Sequence, residues 1–135
     1  MGDVRAGYER AGVDARAEPF LDRVADEMRR ATIVICRAGA TTLAELAASG
    51  TPSVLVPVPA ATDDHQRKNA QVLADAGAAL LLEQRDLTGD SLAAAVAALA
   101  GDPGRLEAMT AAVRTFARPD AAARIVDRVI ALAAS

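Results

Sequence analysis

The sequence is poor in the residues that define several common protein classes. Among its 135 residues there are one cysteine, one tyrosine, two phenylalanines and no tryptophan. Because disulfide frameworks require paired cysteines, a disulfide-stapled secreted domain is excluded and a cytoplasmic location is expected. The single cysteine, Cys36, ends a predicted strand and is expected to be a core residue rather than a nucleophile. The scarcity of aromatic rings argues against binding of nucleic acid by base stacking.

Charge of one sign and long apolar runs are equally scarce. The net charge is −3 and the arginines are scattered among acidic residues, so the basic surface typical of nucleic-acid-binding proteins is missing. The apolar run 76–82 is far too short to span a bilayer. Charged residues between Asp3 and Arg10 interrupt the apolar segment that a signal peptide needs. Membrane contact is therefore expected only at the periphery or through a partner.

Apolar residues make up 52% of the chain, enough for one domain with a buried core. Helical and strand-like patterns alternate along it, and this alternation predicts an α/β fold, a Rossmann-like parallel sheet with flanking helices. The predicted strands are 13–20, 32–36, 53–58 and 78–83. The predicted helices are 4–11, 21–31, 66–76, 91–100, 104–117 and 120–134, and one more that begins at Thr41 or Thr42.

The stretch Ile33–Gly50 is predicted to organise the fold as strand, tight turn and helix. A β-branched run leads into a small-residue turn at 38–40, and Thr41 or Thr42 is predicted to cap the helix that follows. Free N–H groups and the positive end of the dipole at that helix start are suited to a phosphate. Glu45 is expected either to complete a capping box or to face the hydroxyl groups of a ligand. A well-capped crossover without a ligand explains this stretch alone equally well.

A polar loop at 57–69 follows the next predicted strand, at the strand end where open α/β sheets bind their ligands. Asp63 or Asp64 is predicted to cap the helix after it. That helix places His65 and Asn69 one turn apart on one side. For His65 alone, a solvated first turn is the simpler interpretation.

One combination of residues links the two loops: Cys36 to Thr42 with Glu45, then Gly50, Pro52 and Val56-Pro57, then Asp64 to Gln66 with Asn69-Ala70. In this combination the chain resembles the donor-binding half of the MurG-type glycosyltransferases. These bacterial enzymes transfer N-acetylglucosamine from UDP-N-acetylglucosamine to a lipid-linked muramyl-pentapeptide. The resemblance covers nearly the whole chain and is far more specific than either loop alone.

The resemblance implies a binding site for the donor, UDP-N-acetylglucosamine. The residues expected at this site are Leu21, Ala38, Gly39, Ala40, Thr41, Thr42, Glu45, His65, Gln66 and, in support, Asn69. The range 38–42 would face the diphosphate, Glu45 the ribose hydroxyls, and the backbone at Leu21 the uracil. His65 and Gln66 would meet the hydroxyl groups of the sugar. Neither a cofactor nor a metal ion is expected.

The chain differs from the members of this family in its length. Family members have two lobes of the GT-B type, and this chain is too short for the acceptor lobe. The first two strands of the donor lobe are also expected to be missing, and they would lie between the strands 13–20 and 32–36. The open edge is therefore expected to re-pair within the chain or to bury itself in a homodimer. No catalytic residue is assigned, and the chain alone is expected to be inactive.

Two other functions stay open for the sequence. One is a non-catalytic nucleotide-sugar-binding subunit that works with a separate acceptor-binding chain, as in the split eukaryotic enzyme that adds the second N-acetylglucosamine to dolichol diphosphate. The other is a stable fragment without function. The expected partners are thus UDP-N-acetylglucosamine, an acceptor lobe or acceptor-binding chain, and through it a lipid-linked acceptor at the cytoplasmic face of the inner membrane.

Overall fold

The computed structural model of the chain describes residues 2–17, 22–59 and 65–117. Its helices are α1 (Gly2–Arg10), α2 (Val24–Arg30), α3 (Ala40–Ser49), α4 (His65–Asp75), α5 (Gly89–Ala100) and α6 (Pro103–Arg114). Its strands are β1 (Val34–Cys36), β2 (Ser53–Leu55) and β3 (Ala79–Leu81), and a short 3-10 helix spans Gln84–Asp86. Helices and strands alternate from α2 to β3, as the sequence predicts.

The three strands form one parallel sheet in the order β1-β2-β3. Both faces of the central strand are buried, because its successive side chains enter different clusters. Val54 packs with Leu99 of α5 on one face, and Leu55 packs with Leu46 of α3 on the other. Burial on both faces is typical of parallel sheets covered by helices, and it confirms the predicted α/β architecture.

The predicted strand 13–20 is wrong over the residues that the structure describes. Residues 13–17 form no strand, and residues 18–20 lie outside the described ranges. The apolar alternation there rests on one valine and two alanines, which offer little side chain to pack on a sheet. Instead, Arg16 donates a hydrogen bond to the Glu27 carboxylate at 2.7 Å and ties the segment to α2. This bond holds the pKa of Glu27 below its usual value.

The other predicted elements in the described ranges are present with shifted ends. The three strands are shorter than predicted, and α4 begins at His65, one residue earlier than predicted. Thr88 caps α5 through reciprocal hydrogen bonds with Ser91. The predicted helix 120–134 lies outside the described ranges. No helix in the described part of the chain combines the length and the apolar character that crossing a bilayer requires.

A left-handed glycine, Gly50, ends α3. Gly50 has φ +69°, and its N–H donates to the Leu46 carbonyl at 2.9 Å. The Arg114 side chain occupies the space that a Cβ on Gly50 would enter. Backbone conformation and packing therefore both require glycine at this position.

Gly50→Ala is expected to lower the free energy of unfolding by about 1–2 kcal/mol, because an L-residue is strained in the left-handed region and Arg114 would have to move. Urea unfolding measures the change. Gly77→Ala isolates the strain, since Gly77 has φ +74° and open space where its Cβ would lie. Gly89→Ala, at the start of α5 with open space, should be neutral or stabilising. Wild-type stability of the Gly50 variant would contradict the prediction.

Candidate functional site

The described parts of the two predicted loops lie together at the carboxyl end of the sheet. The Val56 N–H donates to the Cys36 carbonyl at 2.9 Å, and the Leu82 N–H donates to the Leu55 carbonyl at 2.9 Å. The segments that follow all three strands therefore leave the sheet side by side. Open α/β sheets bind their ligands at this edge.

The helix α3 starts at this edge. Several N–H groups there donate no hydrogen bond to any described residue. Gly39 is the N-cap, and having no side chain it makes no cap hydrogen bond. The first bond of the helix runs from the Leu43 N–H to the Gly39 carbonyl at 3.0 Å. The N–H groups of residues 40–42 therefore point out of the helix start without an intrahelical partner. Together with the helix dipole, they can bind an anion.

The predicted caps of α3 are wrong. Gly39 adopts the extended conformation of an N-cap, with φ −68° and ψ 148°, so Thr41 and Thr42 already lie inside the first turn. Neither threonine accepts a cap hydrogen bond. Glu45 is in the second turn, beyond the position of a capping-box partner. The helix begins earlier than predicted because glycine serves as an N-cap about as well as threonine does.

Glu45 is half-buried, and no described residue donates a hydrogen bond to its carboxylate. Side chains of a helix lean towards its N-terminus, so Glu45 lies over the turn that carries Thr41 and Thr42. A ligand bound at the helix start would thus have this carboxylate beside it. Of the two roles predicted for Glu45, only the ligand-facing one remains open.

Gln66 connects the two loops directly. Its Oε1 accepts a hydrogen bond from the Ala38 N–H at 3.3 Å and another from the Val58 N–H at 3.0 Å. Ala38 follows β1 and Val58 follows β2, so one amide oxygen joins the segments after two strands. The N–H of Ala38 is therefore engaged by the protein itself.

His65 and Asn69 lie one turn apart in α4, as predicted. His65 is the exposed first residue of the helix, and Asn69 is half-buried. Leu21 and the predicted caps Asp63 and Asp64 lie outside the described ranges.

The resemblance gives Arg37 a structural role rather than a ligand contact, and in the structure Arg37 holds the edge together. Its Nη1 donates to the Val56 carbonyl at 3.2 Å and to Gln84 Oε1 at 2.6 Å. A residue after β1 thereby bonds segments after β2 and β3. The signal in the sequence was an arginine immediately after a predicted strand, where its guanidinium can reach neighbouring strand ends.

A cavity of about 390 Å³ opens between the segments that follow β2 and β3. Its lining residues are Pro57, Val58, Pro59, Arg67, Glu83, Gln84 and Arg85. An ion pair of 2.7 Å between Arg67 and Glu83 lies in its wall. This wall was not predicted, although Glu83 ends a predicted strand, Gln84 follows it, and the same edge rule applies to both. The volume is within the range of small-molecule sites.

Cys36 is a half-buried free thiol at the end of β1. Burial raises the pKa of the Cys36 thiol, because the charged thiolate is poorly solvated there. The thiol is therefore protonated at neutral pH, which agrees with its predicted role as a packing residue rather than a nucleophile.

Known proteins resemble this chain in sequence and in structure. The model of the glycosyltransferase family 28 C-terminal domain matches residues 3–125. A protein of Geobacter sulfurreducens is 46% identical over 131 residues, which are 97% of this chain and 36% of that protein. A protein of Nitrobacter hamburgensis is 49% identical over 133 residues, 98% of this chain and 36% of that protein. Both are named UDP-N-acetylglucosamine–N-acetylmuramyl-(pentapeptide) pyrophosphoryl-undecaprenol N-acetylglucosamine transferase.

A solved structure agrees with these sequence matches. The crystal structure of Acinetobacter baumannii MurG superposes with a TM-score of 0.83 at 36% identity, covering 93% of this chain and 38% of that one. The chain thus spans a little over a third of the length of these three relatives. It belongs to the glycosyltransferase family 28 C-terminal domains, and its parallel sheet with flanking helices is the Rossmann-like C-terminal part of a GT-B fold.

Proposed function

We propose that this chain binds UDP-N-acetylglucosamine as part of an inverting glycosyltransferase, which adds N-acetylglucosamine to a lipid-linked muramyl-pentapeptide in peptidoglycan synthesis. One observation carries the proposal: the N–H groups at the start of α3, which have no partner among the described residues, lie at the same sheet edge as the Gln66 amide of α4. The names of the relatives, which state this donor and this acceptor, support it.

The diphosphate is proposed to lie at the start of α3. Because the Ala38 N–H already donates to Gln66, the hydrogen bonds to the phosphate oxygens are assigned to the N–H groups of Gly39, Ala40, Thr41 and Thr42. Ala38 shapes the turn with a fully buried side chain.

The nucleoside and the sugar are assigned to the two sides of that diphosphate. Glu45 would accept hydrogen bonds from the ribose hydroxyls, and the backbone at Leu21 would hold the uracil. His65 and Gln66 would contact the sugar hydroxyls, and Asn69 would support them. The start of α4, which carries these residues, borders the cavity at the sheet edge.

The acceptor is proposed to bind elsewhere than on this domain. The chain spans a little over a third of its relatives, so we treat residues 1–135 as a single donor-binding domain that works with an acceptor lobe or a separate acceptor-binding chain. A lipid-linked acceptor would then bring the complete enzyme to the cytoplasmic face of the membrane. The domain itself would touch the membrane only through that partner.

Calorimetric titration of the chain with nucleotides tests the donor site. UDP should bind more tightly than thymidine diphosphate or adenosine diphosphate, because only uridine fits a site built for its base and ribose together. UDP-N-acetylglucosamine should compete for the same site. Equal affinity for the three diphosphates would show that this edge binds anions without selecting the nucleoside. A failure of UDP to bind would overturn the proposed function.

Self-association is a separate prediction from the open edge of the sheet. In the described part of the chain β1 pairs only with β2, and Ile35 of β1 is 48% exposed. A strand with an unpaired side and exposed apolar residues is a template for a second copy, and a two-fold dimer is expected. Sedimentation equilibrium over a concentration series measures it. A clean monomer at high concentration would show that this edge is covered within one chain.

A further inference from the structure

The bridge made by Gln66 has a chemical consequence for any ligand at the site. Both atoms that contact its side chain are backbone N–H donors, from Ala38 and Val58, so the contacting atom must be the amide oxygen. With both bonds on Oε1, the side chain has only its Nε2 donors left for a ligand. Gln66 can therefore serve the protein and a ligand at the same time.

The two bonds matter unequally to the fold. Ala38 is completely buried, so its N–H would lose its partner and have no water nearby if Gln66 were shortened or made apolar. Val58 is 42% exposed, and water can replace Gln66 at its N–H. Loss of the bridge should therefore displace the turn at Ala38 more than the loop at Val58.

We propose that Gln66 is a positioning residue for the diphosphate turn: its amide oxygen holds the turn after β1 and the loop after β2 in one arrangement, while its Nε2 donates to an acceptor on the sugar. This inference rests on the proposed donor site. The N–H groups assigned to the diphosphate begin at Gly39, one residue after the bridged Ala38. A shift of the turn would therefore misplace them, and binding sites lose much of their strength when donors move by about 1 Å.

Hydrogen exchange of the unliganded chain, followed by NMR, tests the bridge without any ligand. In Gln66→Met the amides of Ala38 and Val58 should exchange at least about fivefold faster, since each loses a hydrogen bond. In Gln66→Glu, whose carboxylate keeps an acceptor in place, both should stay protected. The Leu82 amide, bonded to Leu55 across the sheet, serves as the reference that separates local loss from general destabilisation. Unchanged exchange in the methionine variant would overturn the bridge.

Titration with UDP and with UDP-N-acetylglucosamine then separates positioning from sugar contact. UDP has no sugar, so a residue that only touches the sugar leaves UDP affinity unchanged. For Gln66→Met we expect UDP affinity to fall by about three- to tenfold and UDP-N-acetylglucosamine affinity to fall further. Gln66→Glu is unsuitable for this titration, because its added negative charge would repel the diphosphate.

Gln71→Met is the matched control, since Gln71 lies on the exposed face of α4 and bonds only Asp75 among the described residues. It should bind both ligands like the wild type. If wild type binds UDP and Gln66→Met binds it equally well, the positioning role fails and the donor site stands. If wild type binds no UDP, the proposed function fails instead, and the exchange data still decide whether the bridge exists.

Discussion

Replacing Glu45 with glutamine is expected to weaken UDP binding by roughly tenfold to a hundredfold and to leave the free energy of unfolding nearly unchanged. A hydrogen bond to a charged acceptor contributes about 1.5–3 kcal/mol, and the glutamine side chain keeps the size of glutamate while losing the charge. Calorimetry gives the affinity and urea unfolding gives the stability of both proteins.

The separation of affinity from stability follows from the position of Glu45 in α3. A capping-box residue would also stabilise the helix start, but Gly39 is the N-cap and Glu45 lies in the second turn. No described residue donates a hydrogen bond to its carboxylate, so removing the charge breaks no hydrogen bond within the described part of the chain. A half-buried carboxylate with no hydrogen-bond partner among the described residues is available to accept hydrogen bonds from a ligand.

Glu107→Gln is the control for the loss of one negative charge. Glu107 is exposed on α6 and lies beside the amino end of β2, at the edge of the sheet opposite the proposed site. Its variant should bind UDP like the wild type. Equal UDP affinity of the Glu45 variant and the wild type would remove Glu45 from the site, and an equal loss in both variants would point to the general charge of the domain.

The position of the two loops at one edge of the sheet could be predicted from the sequence, because it depends on chain order. A strand followed by a small-residue turn and a helix, repeated in parallel, brings each turn to the same edge, and this rule placed 38–42 and 57–69 as neighbours. The family motifs suggested the ligand proposed for this edge, which the rule alone does not give.

Details that depend on contacts across the fold could not be predicted. Thr41 satisfies the local pattern of a cap, but the extended backbone after β1 places Gly39 there first. The bridge from Gln66 to Ala38 joins residues 28 apart in the chain, and that of Arg37 to Gln84 joins residues 47 apart. Local sequence periodicity does not predict such long-range hydrogen bonds, because they exist only once the sheet has formed.

The strand predicted at 13–20 failed for a related reason. Its alternation was weak, and a strand forms only where a neighbouring strand completes its hydrogen bonds. In the described part of the chain, β1 pairs with β2 alone, and residues 13–17 are instead tied to α2 through Arg16. Pairing is thus a property of the whole sheet, which the residues of one segment do not determine.

The isolated chain is expected to bind the donor but to transfer no sugar. Inverting transfer needs a base within hydrogen-bond reach of the acceptor hydroxyl. The chain has one histidine, His65, and it is assigned to the donor sugar. Glu45 is assigned to the ribose, and Glu83 is ion-paired with Arg67 at 2.7 Å. The N–H groups of α3 can stabilise the leaving diphosphate, but that help acts on a sugar with no activated nucleophile beside it.

Transfer of labelled N-acetylglucosamine to a lipid-linked acceptor measures this prediction. The chain alone should give the rate of a reaction without enzyme. Mixing it with the part of the Geobacter sulfurreducens relative that it does not match should restore transfer, because that part would bring the acceptor and the base. The mixture should lose most of this activity when the chain carries Glu45→Gln, which ties the restored rate to the donor site proposed for α3.

Each of the other outcomes has a defined meaning for the assignment of the base. Robust transfer by the chain alone would place a base on this domain, and His65→Ala and Asp64→Asn would then be the first variants to compare. No transfer by the mixture, despite measured UDP binding by the chain, would mean that donor binding is the whole activity of this domain with that partner. Because a general base contributes typically 10²–10⁴-fold to a rate, its absence from the isolated chain should be visible even against weak background transfer.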